Sequence, residues 1–148
     1  EGLRLNTTLK FLDISLVFWT DLQLEAILKS IVHHPTLTKV DLEGSVFGPR
    51  SIRALKTVLQ SPQCRIKALD LSQLNYVRDI GKERIPLDKA GLLDALESSE
   101  SLEQIILNHN NYFSFVDLSG IIRLLRKCAR ICHISYDDFI PDGTPRMR

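Results

Sequence analysis

A six-residue apolar pattern recurs along this chain and limits its fold more than any other feature. Aliphatic or aromatic residues stand at positions 1, 4 and 6 of each copy: Leu9, Leu12, Ile14; Leu37, Val40, Leu42; Ile66, Leu69, Leu71; Leu102, Ile105, Leu107; and, less cleanly, Ile131, Ile134, Tyr136. Successive copies begin 28, 29, 36 and 29 residues apart. Self-similarity at a period of about 20–50 residues marks units that cannot bury their apolar face alone and must stack on their neighbours.

Between the copies the apolar spacing changes from two to three and four, the signature of helices. The first helix is expected over Asp21–His33, with Leu24, Ile27, Leu28 and Ile31 inward and Thr20 with Gln23 as a capping box. A second is expected over Pro49–Gln60, with Pro49 in its first turn. The third falls near Asp88–Ser98. The fourth spans Asp117–Ala129, with Leu118, Ile121, Ile122 and Leu125 inward. Strand, helix and parallel strand imply right-handed crossovers, hence an α/β fold with a parallel sheet and helices on one side. About five units are expected over residues 1–148, with strand starts near 9, 37, 66, 102 and 131 and a tail at 139–148. Leu3 precedes Leu9 by six residues, as Leu96 precedes Leu102, so residues 1–8 read as the end of a preceding helix and the chain as part of a longer array.

The segments NTTLKFLDIS, HPTLTKVDLE, SPQCRIKALDLS and SESLEQIILNHN resemble the ribonuclease-inhibitor-type subclass of leucine-rich repeats. The resemblance implies a right-handed solenoid, its curved parallel sheet concave and its helices convex. It also implies a protein-interaction module of a larger intracellular protein, binding through the concave sheet and loop edge. The alternative it carries is a regulatory or sensor segment of a multidomain switch protein, immune-receptor-like or an actin or GTPase regulator, contacting its own flanking domains. Position 9, usually Asn or Cys in the family, holds Val17, Ser45, Leu74, Asn110 and Phe139, so only Asn110 follows the pattern.

Composition narrows the partners. Nineteen basic against eighteen acidic residues give a net charge of +1, without bulk attraction to nucleic acid or membrane. No apolar run reaches the roughly 18 residues of a membrane span. Cys64, Cys128 and Cys132 are an odd number without disulfide-framework spacing, which fits a reducing compartment and a cytoplasmic location. No phosphate loop, nucleophile elbow or metal-binding spacing occurs, so neither catalysis nor a cofactor nor a metal is expected. The expected partner is a protein carrying a basic segment.

Three groups of residues stand out as candidate contacts. Position 5 carries Asp13, Asp41, Asp70, Ile106 and Ser135, an acidic strip leading to an apolar residue, with Glu43 beside it. The third unit holds eight extra residues within Val77–Leu87, including Arg78, Lys82 and Arg84. Loops of this kind cost little stability and often carry function. Arg123, Arg126, Lys127 and Arg130 share one side of the fourth helix, read chiefly as a solvated face. Position 11 carries Trp19, Phe47, Tyr76 and Tyr112, read as a buried ladder, with Phe18, Phe113 and Phe115 flanking it.

Overall fold

The computed structural model describes residues 2–17, 19–76, 91–108, 122–126 and 130–135. Helix α1 (Gly2–Leu5) leads to strand β1 (Phe11–Asp13), helix α2 (Asp21–Ile31) and strand β2 (Lys39–Asp41). Strand β3 (Val46–Phe47), helix α3 (Pro49–Gln60), strand β4 (Ala68–Asp70) and strand β5 (Asn75–Tyr76) follow. Helix α4 (Leu92–Glu97) and strands β6 (Gln104–Ile106) and β7 (His133–Ser135) complete the named elements, with residues 122–126 helical between the last two.

All five three-residue strands are parallel, in the order β1-β2-β4-β6-β7. Each pairs at motif positions 3–5, so Leu12, Val40, Leu69, Ile105 and Ile134 share one register line. Side chains alternate across a strand, which turns positions 4 and 6 to the core and 3 and 5 to the other face. Val40, Leu42, Leu69, Leu71, Ile105 and Leu107 are accordingly at most 1% exposed. The ladder continues past the strands through Leu16 N–H to Glu43 O, Gly44 N–H to Ser72 O and Gln73 N–H to Asn108 O.

The structure corrects the expected leucine-rich-repeat solenoid to a short parallel α/β domain. Five strands spaced about 4.8 Å apart make a sheet about 19 Å across, the span of an ordinary small sheet rather than of an extended superhelix. The units are also unequal, since α1 to α4 have 4, 11, 12 and 6 residues. A second, two-stranded sheet, β3 with β5, was not anticipated. It pairs Phe47 with Tyr76 through the backbone, and Phe47 is fully buried whereas Trp19 is only partly so. Tyr112, Phe18, Phe113 and Phe115 lie outside the described residues.

The fourth helix is also corrected. Within its helical residues 122–126, Leu124 is fully buried, while Ile122 and Leu125, expected inside, are 43% and 46% exposed. Arg123 reaches Glu97 and Asp94 on α4, and the rotation that permits this turns Leu124 inward. Leu118 and Ile121 lie outside the described residues. Α-helix α4 begins at Leu92, after Gly91 in the left-handed region (φ 84°).

Two local devices fix the helix starts. Thr20 and Gln23 form the reciprocal capping box at α2, with Gln23 N–H donating to Thr20 Oγ1 and Thr20 N–H to Gln23 Oε1. At α3 the N-cap is Gly48, which has no side chain to offer. Asp21, the first residue of α2, supplies the missing acceptor from the neighbouring layer. Its Oδ1 accepts from Ser51 N–H at 2.8 Å and its Oδ2 from Arg50 N–H at 3.2 Å. A Cβ on residue 48 would stand 2.6 Å from that carboxylate, so the carboxylate occupies the space the glycine leaves open. One acid thus ties two helices together.

Burial disfavours the charged form of Asp21, but the Ser51 hydroxyl and the amides of Ser51, Arg50 and Gly48 outweigh it and hold the carboxyl below 3.8. A carboxylate with a lowered folded pKa stabilises the fold above its unfolded pKa, and that contribution is lost as pH falls through the folded value. Asp21→Ala is expected to cost about 0.5–2 kcal/mol at neutral pH, and the difference from wild type should shrink below pH 3.8 in urea titrations. Leu69→Ala, at the centre of the sheet, is expected to cost about 2–5 kcal/mol by the same measurement; a loss under about 1 kcal/mol would contradict the register described here.

Candidate interaction surface

Opposite the helices, the sheet presents two register lines. Position 3 gives Phe11, Lys39, Ala68, Gln104 and His133; position 5 gives Asp13, Asp41, Asp70, Ile106 and Ser135. The three aspartates therefore stand on adjacent strands in one row, with Ile106 next in line. Glu43 lies at the loop end of this row, where its Oε1 accepts from Gln73 Nε2. Lys39 sits over the Phe11 ring, its Nζ 4.6 Å from the centroid, the chief cationic group in the first half of this face. Arg78, Lys82 and Arg84 lie outside the described residues, as does the whole of 77–87.

Each aspartate has a second task. Asp13 Oδ1 accepts from the Ser15 amide at 2.9 Å, Asp41 Oδ1 from the Glu43 amide at 3.0 Å, and Asp70 Oδ1 from the Ser72 amide at 2.9 Å. These are Asx turns, in which the side chain stands in for a backbone acceptor two residues before a turn. The residue that follows each turn carries positive φ: Leu16 at 56°, Gly44 at 72° and Gln73 at 52°. The sequence signal was present as Asp-x-Ser and Asp-x-Glu at 13–15, 41–43 and 70–72, but only Gly44 advertised the left-handed backbone.

The row is electrostatically uneven. Hydrogen bonds from the Ser15 hydroxyl and then its amide, with a smaller contribution from Lys39, hold the exposed Asp13 below its ordinary value. Asp41 is raised above 3.8, first by burial and then by the charges of Asp70 and Asp13 on either side, against the Glu43 amide and Lys39. The central carboxylate is thus the strained one.

The remaining groups are accounted for separately. Arg123 pairs with Glu97 and Asp94. Arg126 and Arg130 are exposed, and Arg130 lines a cleft of about 500 Å³ with Cys64, Ser98, Glu100 and Ser101. Lys127 and Cys128 lie outside the described residues. Among the described residues no group of three His, Cys, Asp or Glu is placed to hold a metal ion, and no helix is long and apolar enough to cross a membrane.

Because its folded pKa is raised, Asp41 opposes folding at neutral pH and ceases to do so as pH falls below the unfolded value of 3.8. Asp41→Asn keeps an Asx-turn acceptor and removes the charge, so it is expected to stabilise the domain by a few tenths of a kcal/mol per like-charge contact relieved. Asp13→Asn removes a favourably bonded carboxylate and should not stabilise. Thermal melts of both at pH 7 and pH 3 check the sign: the Asp41→Asn advantage should be present at pH 7 and absent at pH 3.

No family model matches the chain, and no curated protein matches it. The likeness that exists is to solved structures. One of them, titled Leiomodin-1 Actin-Binding Site 2 (ABS2), matches with a TM-score of 0.68 at 10% identity, over 93% of this chain and 76% of that one. At such identity the likeness is one of fold. That title names an actin-binding site, and the match is over a short parallel α/β domain rather than the expected solenoid.

Proposed function

We propose that this chain is a protein-interaction domain of an actin regulator, and that its partner is actin. The observation that carries the reading is the correspondence, across 93% of the chain, with a structure titled as an actin-binding site. The exposed sheet face supports the general role, since it offers a row of fixed carboxylates beside aromatic and apolar side chains. Asx turns restrain Asp13, Asp41 and Asp70 before any partner arrives, so little side-chain entropy remains to be lost on docking. The proposed mechanism is surface complementarity without a chemical step, and it assigns no catalytic residue and no cofactor. A basic segment of the partner would relieve the repulsion around Asp41 and be steered toward the row in a salt-dependent way.

The test is co-sedimentation with actin filaments, with monomeric actin titrated in parallel. Binding to at least one form is expected at physiological salt, and absence of binding to both would sink the actin reading. The Asp13→Asn, Asp41→Asn, Asp70→Asn triple variant locates the surface. Weaker binding with a flatter salt dependence is expected, since surface charges are screened within about 8 Å at physiological salt. Unchanged binding at two salt concentrations would place the interface elsewhere on the domain.

A further inference from the structure

The acidic row has a spacing, and the spacing selects what can lie along it. Asp13, Asp41 and Asp70 are register partners on adjacent parallel strands, and Ile106 is the partner of Asp70 on the next. Neighbouring strands stand about 4.8 Å apart, so the four positions follow one another at about 0, 4.8, 9.6 and 14.4 Å. Among the described residues, every hydrogen bond these three carboxylates accept falls on Oδ1. Oδ2 of each is left for a donor from outside the domain. Lys39, the cation beside the row, lies over the Phe11 ring, 4.6 Å from its centroid, and forms no ion pair among the described residues. Strands add in the plane of a sheet, so a further strand at either end would lengthen the row rather than cover it.

Two kinds of segment can present side chains in a straight line. An extended segment laid across the strands repeats on one face about every 6.8 Å, so it is about 4 Å out of step by the third carboxylate and about 6 Å by Ile106. An α-helix rises about 1.5 Å per residue, so its residues i, i+3, i+7 and i+10, which share one face, stand at about 0, 4.5, 10.5 and 15 Å. Each falls within about 1 Å of the matching member of the row. The strand spacing of this face therefore fits a helix and not a strand.

We infer that the sheet face takes an α-helix of its partner, laid across the strands, with Lys or Arg at three successive stripe positions and an aliphatic residue at the fourth. The basic groups meet Oδ2 of Asp13, Asp41 and Asp70, and the aliphatic side chain meets Ile106. Asp41 stands between two like charges, so it gains most from a cation. A single stripe of anchors is how amphipathic helices are held in grooves. The order of charges along the stripe fixes which way the helix lies, since the reverse setting puts an aliphatic group against Asp13 and a cation against Ile106. The inference rests on the acidic row being the docking face, and not on the partner being actin.

The experiment is a fluorescence-anisotropy titration of the full chain with labelled synthetic peptides of about 20 residues on a helix-favouring background. Two carry the stripe: one has lysines at i, i+3 and i+7 with leucine at i+10, and the other has leucine first and the lysines after it. Both are needed because the spacing reads the same from either end. A third peptide of identical composition carries lysines at i, i+2 and i+4 with leucine at i+6, the line an extended segment presents. One striped peptide is expected to bind about tenfold or more tighter than the third, and to lose about threefold or more with Asp41→Asn. No binding by either striped peptide overturns the inference. Equal affinities for all three, tighter binding of the third, or indifference to Asp41→Asn does the same. Co-sedimentation with actin fails separately. Actin binding that depends on the row, without preference for the stripe, overturns the helix alone. Selective binding of a striped peptide without actin binding overturns the actin reading alone.

Discussion

The structure depends on one constraint: the aliphatic residues of each layer are buried only by the layers beside them. Leu69 and Leu71 are at most 1% exposed because β2 and β6 flank β4, whereas the same positions in β1 remain half open. Burial of such side chains is worth about 1.5–3 kcal/mol each, so a layer gains its stability from position in the stack rather than from its own sequence. This makes the interior of the sheet, around β2 and β4, the most tightly held part of the described fold.

The links between layers are not only apolar. Asp21 begins α2 and caps α3, which couples the start of one helix to the start of the next through a single carboxylate. The arrangement works because Gly48 is a glycine: its missing side chain both removes the usual cap and vacates the space that Asp21 fills. The 28-residue offset between the copies beginning at Leu9 and Leu37 brings Asp21 and Pro49 to equivalent places. Asp21 then stands beside the amides of the next helix. Glu25 continues the seam, pairing with Lys29 on its own helix and Arg50 on the next.

How much of this could be read from the residues differs by level. Each apolar triplet overlaps one strand of the five-stranded sheet, which begins two residues after the triplet does, whereas the short strands β3 and β5 left no such pattern. Helix α3 was legible from Pro49 in its first turn and from the Ile52, Leu55, Leu59 stripe, whose three residues are buried. The helix near 122–126 was misphased, since the apolar pairs Ile121-Ile122 and Leu124-Leu125 allow two stripes, and the phase that buries Leu124 is the one in which Arg123 pairs with Glu97 and Asp94. The fold class was overdrawn because a repeat period specifies how neighbours stack, not how far the stack extends. In the candidate surface, the aspartate row followed from the shared register. The Asx turns that fix those carboxylates, and the left-handed Leu16 and Gln73, did not, since neither residue type announces that backbone.

The register also explains how one unit tolerates a longer connection. Copies beginning at Ile66 and Leu102 are 36 residues apart instead of 28 or 29, yet Asp70 still faces Ile106 as Asp41 faces Asp70. Closure entropy grows with the logarithm of loop length, so lengthening a connection from 28 to 36 residues costs only about 0.2 kcal/mol. A one-residue slip in the pairing would instead turn Ile105 out to the exposed face and Ile106 into the core side, with every other residue of the strand reversed. The cost of that slip is the burial of whole side chains, several-fold larger than the loop cost. The strand register is therefore held by the core while connection length is free to vary. The face of the sheet keeps its rows of side chains, whatever the loops at its margin add.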